Sequence, residues 1–185
     1  MTAARSQSRS LKARALQWLA QREQSRLELR RKLLRQVRAE LASAAASDDA
    51  GVPVAADDEG VTEQVDAVLD WLEANGYLSV ERFVESRVNA RSARYGNLRI
   101  RQELQQHQLR LPSELAQTLG ASEIDRAKVV RARRFAKTPD DATERARQAR
   151  FLIGRGFSAD AVQAALRSAC AQSSGDDAAA AAPGD

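Results

Sequence analysis

A nine-residue pattern that occurs twice constrains this chain more than any other feature. Ser25-Arg-Leu-Glu-Leu-Arg-Arg-Lys-Leu33 is echoed by Gly96-Asn-Leu-Arg-Ile-Arg-Gln-Glu-Leu104. The two share a starter residue, then Leu, then Leu or Ile followed by Arg, then Leu. A fainter copy begins at Ser158, with Val162 and Leu166 at the same spacing. Internal repetition sets the architecture before any single element does. Here the repeated piece is a basic amphipathic helix, and such a unit buries its apolar face by stacking on a neighbouring copy.

A second marker follows the same order. Trp18-Leu19, Trp71-Leu72 and Phe151-Leu152 each precede a serine, at Ser25, Ser79 and Ser158, after five, six and five intervening residues. Short links between amphipathic helices build compact helix–turn–helix units. With 185 residues there is room for one or two domains or a short repeat array. Aromatics are only 4% of the chain, and alternating β-branched runs are absent. The expected fold class is therefore all-α, with a core of Leu, Val and Ala.

The helix signals divide the chain as follows. Residues 1–10 are polar and read as a flexible N-terminus. A first helix starts at Ser10 and carries Leu11, Ala15, Trp18 and Leu19. Ser25 with Glu28 makes a capping box for a second helix, which the alanines from Ala39 to Ala46 can extend. Residues 42–60, rich in Ala, Ser, Asp, Gly and Pro, read as a flexible insert. A third helix is expected from Thr62, ending at Asn75-Gly76, where Gly76 suits the left-handed position. Ser79 caps a fourth helix, broken at Tyr95-Gly96, and a fifth runs from Asn97 to His107. A sixth is expected from Pro112 to Gly120, and a seventh, capped by Ser122, to Ala136. An eighth covers about 141–155. A ninth, capped by Ser158, ends near Cys170, and 173–185 read as a disordered tail. The domain expectation is a first repeat over 11–75, a second over 76–120 and a third over 121–172.

Charge is segregated. The net is +4, yet Arg82 to Arg101 holds six arginines and one acid, Glu85, and Arg126 to Lys137 holds six basic residues and no acid. Acids collect at Asp48, Asp49, Asp57, Asp58 and Glu59, and again at Asp176 and Asp177. Such unevenness points to a polyanionic partner, a nucleic acid or an acidic protein face. In the fourth helix the column through Phe83 continues as Arg87, Arg91 and Arg94, so an apolar stripe turns basic on its own face. Arg82 precedes it, and Tyr95, Arg99 and Arg101 follow. Arginines there can grip carboxylates or phosphates bidentately. The plainer reading is that their stems cover the core and their heads meet water. Arg30, Arg31 and Lys32, with Arg35 and Arg38, form a second basic group. Arg126, Lys128, Arg131, Arg133, Arg134 and Lys137 form a third, and both are weaker signals.

Little points to catalysis, and the chain reads as a non-enzyme. His107 and Cys170 are single residues of their kinds, so no disulfide framework and no zinc site is expected. Cys170 reads as a small buried hydrophobe. No phosphate-binding glycine loop is present, and Gly154-Arg-Gly156 reads as a helix end. Asp57, Asp58 and Glu59 do not match a calcium loop. No cofactor or metal is expected. With no apolar leader or membrane-length segment, the expected compartment is the cytoplasm. No long heptad run asks for a dimer, so a monomer is expected.

Several blocks together resemble a known family. They are Ala13-Arg-Ala-Leu16, the Ser25–Leu33 nonamer, Trp71-Leu72 with Gly76-Tyr-Leu78, Arg82-Phe83, Tyr95-Gly96 through Leu104, and Phe151-Leu152 with Arg155-Gly156-Phe157. Over about residues 11–170 the chain resembles RecX, the bacterial modulator of the RecA recombinase. The Tyr95-Gly96 block with Arg-Ile-Arg-Gln-Glu-Leu is the specific part. The resemblance implies three tandem three-helix repeats, helix-turn-helix-like, in an elongated, curved array without catalysis of its own. It also implies a partner, the RecA–DNA filament, whose groove such proteins occupy while restraining ATP hydrolysis, strand exchange and coprotease activity. Two departures stand out: the long 42–60 insert, and His107-Gln-Leu-Arg-Leu where the family has a Lys-Gly-Ile-like turn. On this reading the residues expected to meet the partner are Arg30, Arg31, Lys32, Arg82, Arg87, Arg91, Arg94, Tyr95, Arg99 and Arg101, with DNA a possible further partner of the basic faces. A rival reading is a helix-turn-helix protein that binds duplex or single-stranded DNA without RecA. A third is a plain helical scaffold with decorative charge.

Overall fold

The computed structural model of the chain describes residues 10–47 and 58–179, with side chains for 10–43 and 59–169. The described residues form eight α-helices and no strand, as the composition implied. They are α1 (Leu11–Leu19), α2 (Arg26–Ser47), α3 (Asp58–Ala74), α4 (Val80–Ser92), α5 (Asn97–Gln106), α6 (Ser113–Arg134), α7 (Ala142–Gly154) and α8 (Ala159–Ala179). The chain divides between Phe83 and Val84, inside α4, into two compact units.

In the first unit α1, α2 and α3 pack on one another. Their shared core is Ala15, Leu29, Leu33, Val65, Val68, Leu69, Leu72 and Leu78. The nonamer's Leu29 and Leu33 are fully buried, and each such leucine contributes about 1.5–3 kcal/mol. In the second unit α6, α7 and α8 form a comparable packet, and α5 lies against α6. Its core gathers Ala127, Val130, Leu152, Phe157, Ala161, Val162, Ala165 and Leu166. The second nonamer's Ile100 and Leu104 are likewise buried.

The three serines cap as the spacing implied. Ser25 Oγ accepts from Glu28 N at 3.1 Å, Ser79 Oγ from Arg82 N at 3.2 Å, and Ser158 Oγ from Ala161 N at 3.3 Å. Two of the preceding turns have one geometry. Gly76 lies at φ +71° and Gly156 at φ +82°. Tyr77 N then donates to Leu72 O at 2.9 Å, and Phe157 N to Leu152 O at 3.2 Å. These are left-handed helix ends that satisfy the last carbonyls. The same end closes α5, where Leu109 N donates to Leu104 O at 3.0 Å. There a glutamine, Gln108, takes φ +60°. A side chain at that left-handed angle costs roughly 1–2 kcal/mol.

Several boundaries differ from expectation. No break occurs at Gly120, and the expected sixth and seventh helices are one, α6. The buried column Leu119, Glu123, Ala127 and Val130 runs straight past that glycine. Packing of that column outweighs the glycine's helix penalty of about 1 kcal/mol. Ser122 does not cap, because its hydroxyl donates back to Thr118 O at 3.0 Å. The boundary expected at 120/121 therefore falls inside a continuous helix. α3 begins at Asp58 rather than Thr62, since an acid in the first turn, Glu59, suits the positive end of a helix dipole. α2 extends through its alanines to Ser47, so of the expected insert only 48–57 lies outside the described residues. α8 runs nine residues past its expected end near Cys170, to Ala179. The Cys170 side chain, Asp57, and residues 1–9 and 180–185 lie outside the described residues.

Candidate partner-binding surfaces

The ten candidate residues separate into those held by the fold and those left at its surface. In the first unit, Arg30 lies along Asp66 of α3, with Nε–Oδ1 at 2.7 Å and Nη2–Oδ2 at 3.0 Å. That hydrogen bond lifts the guanidinium above its ordinary range and holds the carboxyl below the usual carboxylate range. Its neighbour Arg26 spans Asp70 at 2.7 Å and Glu73 at 2.6 Å. These pairs tie α2 to α3, though exposed ion pairs are worth only about 0–1 kcal/mol each. Lys32 donates to the buried Gln24 at 2.7 Å and lies 5.6 Å from the Trp18 ring. Arg82 pairs with Glu23 at 2.8 Å and donates to the Gly76 and Tyr77 carbonyls, both at 3.0 Å. It thereby closes the α3–α4 turn. Arg31 is exposed and has no acid partner among the described residues.

In the second unit the arginine column is two-thirds occupied. Arg87 at 3.3 Å and Arg91 at 2.8 Å share the carboxylate of Glu103 on α5. Hydrogen bonding to Glu103 raises the Arg91 guanidinium above its ordinary range. Tyr95 is half-buried, with Arg91 5.8 Å and Arg155 5.4 Å from its ring centroid. Arg94, Arg99 and Arg101 are exposed, with no acid partner among the described residues. Arg99 and Arg101 flank the buried Ile100, so the α5 core position presents one arginine on either side.

What holds α5 in place is not visible at the level of sequence. The Gly96 backbone meets the α7–α8 turn directly: Gly96 N donates to Arg155 O, and Leu98 N to Gly156 O, both at 3.0 Å. A Cβ on Gly96 would lie 2.2 Å from Gly156 O, and one on Gly156 would lie 2.6 Å from Arg99 N. Two glycines from separate motifs thus allow one backbone-to-backbone approach. On α6, Glu123 is only 7% exposed. It accepts from Asn97 N at 2.9 Å and from the Ser158 hydroxyl at 2.8 Å. One carboxylate therefore holds the N-termini of both α5 and α8.

Three residues on, Arg126 gathers the end of α4. Its guanidinium donates to Ser92 O at 3.2 Å, Tyr95 O at 2.9 Å, Leu119 O at 3.0 Å and Asn97 Oδ1 at 2.5 Å. Burial pulls this guanidinium below its ordinary range, against the opposing charge of Glu123. Arg131 is also buried, donating to Gln148 at 3.2 Å. Both belong to the third basic group, which as a sequence reads as surface charge. The available signal was the Glu123–Arg126 spacing, one helical turn apart beside a buried column. The same group does leave Arg133 and Arg134 exposed, and with Arg94 and Arg155 they surround a cavity of about 310 Å3.

Among the described residues no three His, Cys, Asp or Glu side chains gather as a metal site would require. Nor is any described helix long and apolar enough to cross a membrane.

A family model for the third three-helix domain of RecX matches residues 121–166, which hold Glu123, Arg126 and the α7–α8 turn. Curated relatives match much more of the chain. The regulatory protein RecX of Ralstonia nicotianae is 45% identical over 86% of this chain and 88% of the relative. That of Herminiimonas arsenicoxydans is 44% identical over 85% and 91%. This chain belongs to the RecX family. A more distant member, the regulatory protein RecX of Pseudomonas fluorescens, is 37% identical over 82% of this chain and 86% of its own length. Like these relatives, this RecX-family chain is a regulatory protein. The block singled out as specific, Tyr95-Gly96 through Leu104, is also where its backbone approach is tightest.

Proposed function

We propose that this protein regulates the RecA recombinase, mainly as an inhibitor. It binds the groove of the RecA–DNA filament and restrains ATP hydrolysis, strand exchange and coprotease activity. It does so in the cytoplasm, as a binding protein without catalysis of its own. Membership of the RecX family supports this reading, and one observation carries the choice of surface. Arg99 and Arg101 stand exposed on either side of the buried Ile100, on a helix held rigidly from beneath by Glu123 and Gly96. Rigid placement lowers the ordering cost of meeting an acidic or phosphate-bearing partner, and guanidinium is the group best suited to either. Arg31 in the first unit is a further candidate contact. Arg94 is exposed and is a candidate contact as well, while Arg30, Lys32, Arg82, Arg87, Arg91 and the half-buried Tyr95 act in this reading chiefly by shaping the surface.

The test is the steady-state ATPase of RecA on single-stranded DNA. Added protein is expected to lower it in proportion to filament occupancy. Arg99→Ala combined with Arg101→Ala is expected to raise the concentration needed by about tenfold or more, as when charged hot-spot residues are truncated. An ATPase unchanged at any ratio of the two proteins overturns the proposal.

A further inference from the structure

The cavity beside Arg94 is built differently from the rest of the basic surface. Its volume is about 310 Å3, and its lining is Arg94, Arg133, Arg134 and Arg155 around Ala93, Val130 and Phe151. Four arginines therefore line one space together with apolar side chains. Among the described residues none of the four has an acid partner. Arg26, Arg30, Arg82, Arg87 and Arg91 are each matched to a carboxylate, whereas Arg31, Arg99 and Arg101 also lack an acid partner among the described residues but do not line this cavity. The acid nearest in sequence to this group on α6, Asp125, is held by Lys128 at 3.0 Å. The rings nearby already carry cations on their faces: Arg155 lies 5.1 Å from the Phe151 centroid, and Arg134 lies 5.7 Å from that of Phe135. Unmatched like charges converging on a concave site focus a positive potential that an anion relieves.

We infer that this cavity is a subsite for single-stranded nucleic acid, taking one backbone phosphate and the nucleoside beside it. Arginine forks suit phosphate oxygens. The apolar lining of Ala93, Val130 and Phe151 suits the flat face of an unstacked base, which a duplex keeps hidden. An acidic peptide would serve the arginines and leave that lining without a partner. The volume falls at the lower end of small-ligand pockets, enough for one nucleotide unit rather than a folded element. This inference does not rest on RecA, because it concerns the bare strand.

Fluorescence anisotropy of a labelled oligothymidylate of about fifteen nucleotides, with the full chain and no RecA, reads it directly. The chain is expected to bind, with affinity falling steeply as salt rises. Arg94→Ala with Arg133→Ala should weaken binding by about tenfold or more, and should lower the slope of log affinity against log salt by about 0.7 for each phosphate no longer neutralised. Both side chains are exposed, so this variant is expected to fold, and its helical circular dichroism checks that. Arg110→Ala with Arg167→Ala, also exposed, should change affinity by no more than about twofold, within the usual range for an uninvolved surface charge. Phe151→Leu, which removes the ring against both the base and Arg155, should weaken binding several-fold. Failure of the parent chain to bind overturns the inference. So does equal weakening by the two arginine pairs. Tighter binding of poly-glutamate with the same dependence on Arg94 and Arg133 also overturns it, and assigns the cavity to an acidic peptide. None of these outcomes changes the ATPase result, so the two readings fail separately.

Discussion

The two copies of the nonamer bury the same positions and are stabilised by different means. In the first, Ser25 caps its own helix, and the arginines at the second and sixth positions, Arg26 and Arg30, lie on acids of α3. In the second, the starter is Gly96, which has no side chain to cap with, and the cap comes from Glu123 on another helix. Its arginines, Arg99 and Arg101, have no acid partner among the described residues. The first copy is capped by local chemistry and pairs two of its arginines with acids at the surface. The second depends on a neighbour for its start, and that dependence leaves its charge exposed. One pattern therefore gives a helix with acid-paired arginines at its second and sixth positions once, and a helix whose arginines have no acid partner among the described residues once.

Gly96→Ala is the sharpest way to break this comparison. The added Cβ would meet the Gly156 backbone at 2.2 Å, where no flexible side chain can move aside. The expected cost is above about 4 kcal/mol, the range reached by strain and overpacking. Trp18 and Trp71 both lie in the first unit, so tryptophan fluorescence reports that unit, while far-ultraviolet circular dichroism reports both. In urea, the dichroism transition should move to much lower concentration with the fluorescence transition nearly unmoved. Equal shifts in both would show that the two copies are not stabilised independently.

Removing the caps tests the same contrast at smaller amplitude. Glu123→Ala strips the acceptor from Asn97 N and from the Ser158 hydroxyl at once. One buried and one partly buried donor then lose their partner, at an expected cost of about 3 kcal/mol. Ser25→Ala removes the cap bond from Glu28 N, at about 1 kcal/mol. The first loss should appear in the dichroism transition and the second in the tryptophan transition. A reversed order would mean that the Ser25 helix leans on its cap more than its packing suggests.

The part of the fold legible in the sequence was the part written in local chemistry. Serine caps, Gly76 and Gly156 at helix ends, and the Leu and Ile core positions all depend on residues within one or two turns of each other. Gly120 misled because a glycine reads as a stop, whereas the buried column from Leu119 to Val130 is a tertiary fact. The candidate surface was legible only in outline. A basic run shows how many arginines there are, and nothing in it shows which have an acid opposite. Arg87 and Arg91 met Glu103, Arg126 turned inward to backbone carbonyls, and Arg133 and Arg134 stayed outside. Only the three-dimensional path of α6 separates those fates. Gly96 stands out in the sequence as part of a specific block, but its physical role needs Gly156, sixty residues away.

Acid should separate the two copies most gently. The Arg30 hydrogen bond holds the Asp66 carboxyl below its ordinary value, and Arg14 does the same for Glu40. A carboxyl whose folded pKa is lowered adds stability that is complete above its unfolded value, near 4. That contribution is lost as pH falls through the lowered folded value. Both pairs lie in the first unit, and Asp66 and Arg30 are each about 36% exposed. Solvent screening therefore keeps the contribution below about 1 kcal/mol. In urea at pH 6, Asp66→Asn should lower the tryptophan-detected midpoint slightly relative to the parent chain. As pH falls through that lowered value the parent should lose that advantage and the two midpoints should converge. Arg99 and Arg101, with no carboxylate to protonate, supply no such contribution to the second copy. A gap between parent and variant that persists at low pH would place the role of Asp66 in packing, and would remove the ion pair from the account of how the first copy holds Arg30.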